Sequence, residues 1–386
     1  MTTGIAAIDA PTSHAGAAVP RPYAAIILPP REAFAPGHAG AIALLARRMA
    51  GPDDVVYGMA HPTPFADVAF RPIRPTWFPG PLARRYAGGA ARALRADPPG
   101  LVEVHNRPDI ALFLARRLPA LPVTLFLHTD PQGMRGAKTP AERAALLATL
   151  AGVVTVSHHL KSRFIEGLPP LPTAPRVLPN SLDLAEIPRG LPRTRIILFA
   201  GRVVADKGAD SFIAACALAL PHLPGWTAEL IGADRFGPDS PETPWLAALR
   251  PHAAAAGIAM RGYQPHAEIL RAMAQAAIVV VPSRWPEPFG LTALEALATG
   301  AALVASDRGG LPEVYGDAAV VIDPENPAGI AAALIALAQD PARRAALATA
   351  GLARARSFSR PAGAARLAAL RSDVLAAWSK PGIHPI

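Results

Sequence analysis

The residues best suited to chemistry are two carboxylates and two cations in the second half of the chain. Glu287 and Glu295 bracket the stretch Glu287-Pro288-Phe289-Gly290-Leu291-Thr292-Ala293-Leu294-Glu295, and Arg202 and Lys207 lie in Ala200-Gly201-Arg202-Val203-Val204-Ala205-Asp206-Lys207-Gly208. A carboxylate accepts hydrogen bonds from hydroxyl groups, whereas a guanidinium fork and an ammonium neutralise phosphate oxygens. Taken singly, each glutamate also suits a helix-terminal charge favoured by the dipole, and the Arg–Lys pair suits a solvated loop.

The elements around them sharpen the reading. Residues 277–281 form a short, continuous apolar run rich in β-branched residues, which predicts a buried parallel strand. Pro282-Ser283-Arg284-Trp285-Pro286 stops it, because proline cannot join a ladder. From about Gly290 onward, Leu291, Leu294 and Ala298 recur at helical spacing. A strand, a loop and a helix N-terminus make an anion site, since the first helical N–H groups lack partners and the dipole favours negative charge. Glu287 falls just outside that helix and Glu295 about one turn inside it. One carboxylate on each side of a bound phosphate suits a nucleotide sugar.

The remaining sequence supplies the frame. Strand-like runs at 23–28, 101–105, 123–128, 152–157 and 176–178, then at 195–200, 228–231, 277–281, 301–305 and 318–322, alternate with helical ones. This predicts an α/β protein with parallel sheets, whose ligands bind at the carboxyl ends of the strands. A chain of 386 residues suggests two domains. Residues 180–193, with Pro188, Gly190 and Pro192, read as the linker between a domain at 21–190 and another at 191–361. Arg360-Pro361 is expected to break a helix, with a new helix at 362–378 and a frayed tail. Residues 1–20 read as a disordered leader and not a signal peptide, because no basic segment precedes a continuous apolar core. Cys216 is the single cysteine; it fits a reducing compartment and a buried helix face.

Charge is unevenly shared. Residues 1–190 carry 20 Lys+Arg against 13 Asp+Glu, a balance of +7, and the rest 18 against 16, a balance of +2. A basic first half suits a membrane surface or a phosphate-bearing substrate, and equally a merely arginine-rich composition. Within it, Trp77, Phe78 and Tyr86 stand beside Arg84, Arg85, Arg92 and Arg95. Such interleaving suits anionic lipid head groups, or a basic helix packed on a sheet. No nucleic-acid module accompanies the charge. The absence of Gly-x-Gly, of a Walker loop and of Gly-x-Ser-x-Gly disfavours a nicotinamide dehydrogenase, a P-loop enzyme and a serine hydrolase.

The motifs together resemble glycosyltransferase family 4, with the two-Rossmann-domain architecture called GT-B. The resemblance runs through nearly all of the second half: Gly201-Arg202 with Lys207-Gly208, Ile231-Gly232, Arg261-Gly262-Tyr263, Pro282-Ser283, the Glu287/Glu295 pair and Gly309-Gly310-Leu311-Pro312-Glu313. It implies two Rossmann-like domains across a deep cleft, with the C-terminal helix crossing back to the first. Glu287 would hold hydroxyls of the donor sugar and Glu295 those of the ribose. Backbone N–H groups of Phe289, Gly290 and Leu291 would meet the distal phosphate and sugar, and Arg202 and Lys207 the departing diphosphate. Arg261, Gly262 and Tyr263 would border the base.

In the first half the family places a glycine-rich loop near the donor phosphates and the acceptor. Gly37 and Gly40, ahead of an apolar helix at 41–49, fit that use, although the family's paired glycines are absent. His128 ends a strand where the family has its active-site histidine. His105 and Arg107 end another and are acceptor-side candidates; Ser157 and Asn180 also end strands and shape the cleft between domains.

The resemblance implies a retaining enzyme moving a hexosyl unit from a nucleoside-diphosphate sugar, by default a uridine diphosphate sugar, to a carbohydrate or lipid-linked acceptor. With no residue placed as a nucleophile on the other face of the donor, front-side displacement is the expected mechanism. The chain has no Asp-x-Asp pair, so no metal or other cofactor is expected, and Arg202, Lys207 and the helix terminus replace the metal. A cytoplasmic location follows from the cysteine usage, at the inner membrane face if the basic half meets lipid. The competing readings are a nucleotide-sugar-binding scaffold without catalysis and a sugar-nucleotide epimerase of the same fold.

Overall fold

The computed structural model describes residues 23–170, 173–235 and 240–378. The expected leader at 1–20 and the tail beyond 378 lie outside the described residues. Seven strands form the first sheet: β1 (Ala24–Ile27), β2 (Val55–Gly58), β3 (Ala69–Pro72), β4 (Leu101–His105), β5 (Val123–Leu127), β6 (Gly152–Thr155) and β7 (Arg176–Val177). Six form the second: β8 (Thr194–Ala200), β9 (Thr227–Ile231), β10 (Ile258–Met260), β11 (Ala276–Val281), β12 (Ala302–Ser306) and β13 (Ala319–Ile322). Their spatial orders are β3-β2-β1-β4-β5-β6-β7 and β10-β9-β8-β11-β12-β13, with every named neighbour pair parallel.

Both are doubly wound sheets in which the order reverses once, between β1 and β4 and between β8 and β11. Ligands of such sheets bind in the crevice outside the strand ends at that reversal. The α/β expectation of two Rossmann-like domains is borne out. Helices cover both faces of each sheet, so the strands are buried on both sides and read as apolar runs: Ala276-Ala277-Ile278-Val279-Val280-Val281 is the clearest.

Three strands escaped the sequence reading. β2 is only four residues long, β3 carries Pro72 on the edge of the sheet and is largely exposed, and β10 has three residues. None holds enough alternating or continuous apolar residues to stand out. The expected break and new helix are present, one helix ending at Arg356 and the next spanning Arg360–Trp378; Pro361 sits in the first turn of the new helix, where its missing N–H costs nothing.

That last helix leaves the second half and packs on the first sheet through Leu367, Leu370 and Val374, against Ala24, Leu101, Phe126, Val154 and Leu178. Arg371 anchors it: its guanidinium bonds both carboxylate oxygens of buried Glu103 at 2.8 Å and Asp54 at 2.8 Å. The two passages between halves touch. Leu182 N–H donates to the Phe358 carbonyl at 2.8 Å and Arg360 N–H to the Leu182 carbonyl at 2.9 Å, a parallel bridge between Leu182 and Ser359.

Candidate functional site

At the reversal of the second sheet, the loops after β8 and β11 lie against each other. Gly208 makes this possible: it has φ +70°, and a Cβ there would overlap the Pro282 carbonyl. The β8 loop ends in a single turn, Ala205–Lys207, and the Asp206 carbonyl accepts from Arg284 N–H at 2.9 Å and Trp285 N–H at 3.0 Å. The backbone therefore carries Lys207 to the β11 loop.

There Lys207 Nζ bonds Glu287 Oε1, which also accepts from Ser283 Oγ at 2.7 Å. Gly309, at φ +65°, forms a bridge with Glu287, and a Cβ on it would strike the Glu287 backbone. Gly310 N–H donates to the Glu287 carbonyl at 2.7 Å. Glu287 is thus fixed in backbone and side chain alike. Arg202 sits half-buried just past the end of β8.

Three residues on, Gly290 at φ +107° begins the helix Leu291–Thr299. No side chain caps this helix and its first turn holds no acid. An L side chain at Gly290 would be strained and would press on Leu311. The first helical N–H groups thus lie at the positive end of the dipole, three residues past Glu287 and about one turn before Glu295, an arrangement that suits an anion. Glu295 is buried and its Oε1 meets His266 Nε2 at 2.8 Å. That bond pushes the imidazole pKa up, against the downward pull of burial. His266 begins the helix His266–Gln275 and was missed in the sequence, although it follows Tyr263 by three positions.

Arg261, Gly262 and Tyr263 leave β10 at the same edge. Gly262 takes φ +66° with open space around it, and its carbonyl accepts from Gly232 N–H at 2.8 Å. Arg261 bonds Glu229 at 3.0 Å and lies at the surface.

The first domain places its candidates less openly. Gly37 has φ +74°, and among the described residues a Cβ on it would meet no neighbour. Gly40 caps the helix Ala41–Met49, but the anion pole of that helix is already filled. Glu32 Oε1 accepts from Ala43 N–H at 3.1 Å, and a Cβ on Gly40 would sit 2.5 Å from it. Burial raises the Glu32 carboxyl pKa while the two backbone N–H groups oppose the rise.

His105 Nδ1 and His128 Nε2 are 2.9 Å apart, and the other nitrogen of each is buried without a partner among the described residues. Burial holds both imidazoles neutral, with the His128 pKa pushed down to about 4. His128 therefore turns its ring nitrogens into the domain, and its backbone N–H is fixed by Asn106 Oδ1 at 3.0 Å. Arg107 is committed to Asp109 by a bidentate pair at 2.9 and 2.6 Å.

Two contacts join the halves beside the site. Ser157 Oγ donates to the Pro288 carbonyl at 2.5 Å, in the segment between Glu287 and the helix. Glu313 accepts from His158 N–H and His159 N–H, both at 2.7 Å, at the start of the helix His158–Ile165.

Known proteins resemble this chain in sequence over its second half and in fold over most of its length. Residues 187–354 match the family model described as glycosyl transferases group 1. The glycogen synthase of Mycobacterium tuberculosis is 36% identical over 177 residues, covering 43% of this chain and 40% of the relative. The D-inositol 3-phosphate glycosyltransferase of Segniliparus rotundus is 33% identical over 234 residues, covering 58% and 52%. The chain spans about half the length of the curated relatives it matches. Among solved structures, Anabaena HepE in complex with UDP and glucose superposes with TM-score 0.72 at 19% identity, over 90% of this chain and 99% of that one. Sucrose-phosphate synthase of Thermosynechococcus elongatus gives 0.73 at 17%, over 92% and 100%. The fold is GT-B. The matched region and the named relatives support a transferase enzyme.

Proposed function

We propose that the chain transfers a hexosyl unit from a nucleoside-diphosphate sugar, with uridine diphosphate as the leaving group, to a carbohydrate or lipid-linked saccharide. The observation that carries this reading is the uncapped helix start at Gly290, flanked by the Lys207–Glu287 pair on one side and the His266–Glu295 pair on the other. A diphosphate seated on those N–H groups would take Lys207 and Arg202 as counter-charges. Glu287 would then turn to the sugar hydroxyls and Glu295 to the ribose. The complex of HepE with UDP and glucose supports the choice of base.

In the reaction, the anomeric C–O bond breaks and the diphosphate leaves with the electron pair. The acceptor hydroxyl oxygen bonds to the same face of the anomeric carbon, and its proton passes to the leaving phosphate oxygen. Configuration is retained. Negative charge grows on the diphosphate, where preorganised donors contribute most; losing one such donor costs about a hundredfold to a thousandfold in rate. Arg202, Lys207 and the helix terminus supply that stabilisation without a metal. Peripheral contact of the basic first domain with an anionic membrane surface belongs to the same reading.

The test is transfer from labelled UDP-hexoses to saccharide acceptors, with the anomeric configuration of the product read by NMR. Glu287→Ala should lose at least a hundredfold in turnover, and chelator should leave turnover intact. Undiminished transfer in that variant would reject the assignment of Glu287. Consumption of donor without an acceptor would point to epimerisation instead.

A further inference from the structure

Among the described residues, the most exposed large apolar side chain lies not at the cleft floor but on the loop between β3 and the helix Leu82–Ala96. Trp77 is 80% exposed and Phe78 is 59% exposed, with rings stacked 4.6 Å apart, and Leu82 beside them is 39% exposed. Isolated exposed apolar residues are ordinary, but two stacked aromatics with an adjoining leucine form a patch.

The fold holds this patch out deliberately. Gly88 and Gly89 give the helix a bare face: a Cβ on Gly89 would overlap the Arg74 carbonyl, and one on Gly88 would sit 2.9 Å from Thr76 Cγ2. The segment 74–76 therefore lies directly on the helix. Thr76 N–H donates to the Arg85 carbonyl at 2.9 Å, Arg85 Nε to the Thr76 carbonyl at 2.7 Å, and Arg92 to the Arg74 carbonyl at 3.2 Å. These bonds fix the base of the loop, and Trp77 and Phe78 follow it exposed.

The ties are cationic. Between Asp67 and Asp97 the chain carries six arginines and no acidic residue; Arg71 pairs with Asp97, and Arg74, Arg84 and Arg92 are exposed. A saccharide would stack on the aromatics but has no use for uncancelled positive charge; an anionic bilayer uses both, since aromatic side chains settle at the head-group level and arginines meet the lipid phosphates. β3 is the edge strand of a parallel sheet, so the loop leaves at the same edge as the loops after β1, β4 and β5. A membrane held there lies at the rim of the first domain's half of the cleft.

We infer that the Trp77–Phe78 loop is an insertion device for an anionic lipid surface. It deepens the peripheral-membrane part of the reading above, and its test needs no donor, so its failure leaves the transfer reaction untouched. The full chain is mixed with phosphatidylcholine vesicles, with or without about one third phosphatidylglycerol, and bound protein is separated by flotation. Binding should require the anionic lipid, fall at least tenfold in Trp77→Ser/Phe78→Ser, and fall likewise in Arg74→Gln/Arg84→Gln or at about 0.5 M salt, where screening shortens charge attraction to a few Å. Both variants alter exposed side chains, and unchanged circular dichroism and thermal unfolding check that they fold. Absence of binding to anionic vesicles, or equal binding by both variants, overturns the inference. So does a wild-type dimer in light scattering that the aromatic variant turns into monomer, because the patch is then a self-association face.

Discussion

Replacing Glu287 by Gln should tighten the binding of bare UDP while crippling sugar transfer. Lys207 is held by Glu287, so a diphosphate that recruits Lys207 must first break that pair. The two side chains are 24% and 12% exposed, between a surface pair and a buried one. Surface pairs contribute about 0.2–1 kcal/mol and breaking buried ones costs about 3–5 kcal/mol, which puts this pair at about 1–2 kcal/mol. Its loss converts to about a fivefold to thirtyfold gain in UDP affinity. Glutamine keeps an oxygen for the Ser283 hydroxyl, so the loop geometry survives. Isothermal titration of wild type and variant with UDP and with UMP at fixed ionic strength reads the effect. Removing the Glu287 charge helps both ligands through space, but only UDP gains from a released lysine, so the UDP-to-UMP affinity ratio must rise. An unchanged or falling ratio would refute the claim that Lys207 waits for the second phosphate.

Three further outcomes follow from the same contacts. Arg371→Met should lower the free energy of unfolding by about 3–5 kcal/mol in denaturant titration, because buried Glu103 and Asp54 lose their shared counter-charge. Glu313→Gln should raise the hydrogen-exchange rates of the His158 and His159 amides about tenfold, since a charge-assisted acceptor spanning the two halves is replaced by a neutral one. Acid should destabilise the fold through His128: its folded pKa of about 4 lies below the unfolded value, so the unfolded chain binds the extra proton and stability falls as pH drops from about 6.5 toward 4. Between pH 7 and pH 5 this amounts to about 2 kcal/mol, and His128→Gln should remove that share of the slope, leaving the share of His105, whose pKa is also held well down by burial. His266, with its raised pKa, acts in the opposite sense and is common to both proteins.

The second half was legible because its signals are local. A β-branched run, two prolines and a helical repeat lie consecutively in 277–298, and the parallel strand and the helix from Leu291 follow from them. The glycines were legible as motif positions, but their cause was not: Gly208 and Gly309 are required by backbone approaches across 74 and 22 residues, to Pro282 and to Glu287. Partners separated by long stretches of chain were invisible. Nothing local ties His266 to Glu295, Lys207 to Glu287, or Glu32 to the helix after Gly40. The histidines at the ends of β4 and β5 were found as strand ends, yet only the stacking of adjacent strands shows that they bond each other.

The bridge between Leu182 and Ser359 sets what the two halves can do relative to each other. Were the chain to cross once, the second domain could swivel about a single flexible strand in any direction. It crosses twice, and the crossings are bonded side by side, so they define an axle: rotation about the line of that bridge is cheap, while twisting across it shears two backbone hydrogen bonds. Any turn of one half against the other is thereby confined to that line, and it would work against the Ser157–Pro288 and Glu313 contacts that join the halves beside the site.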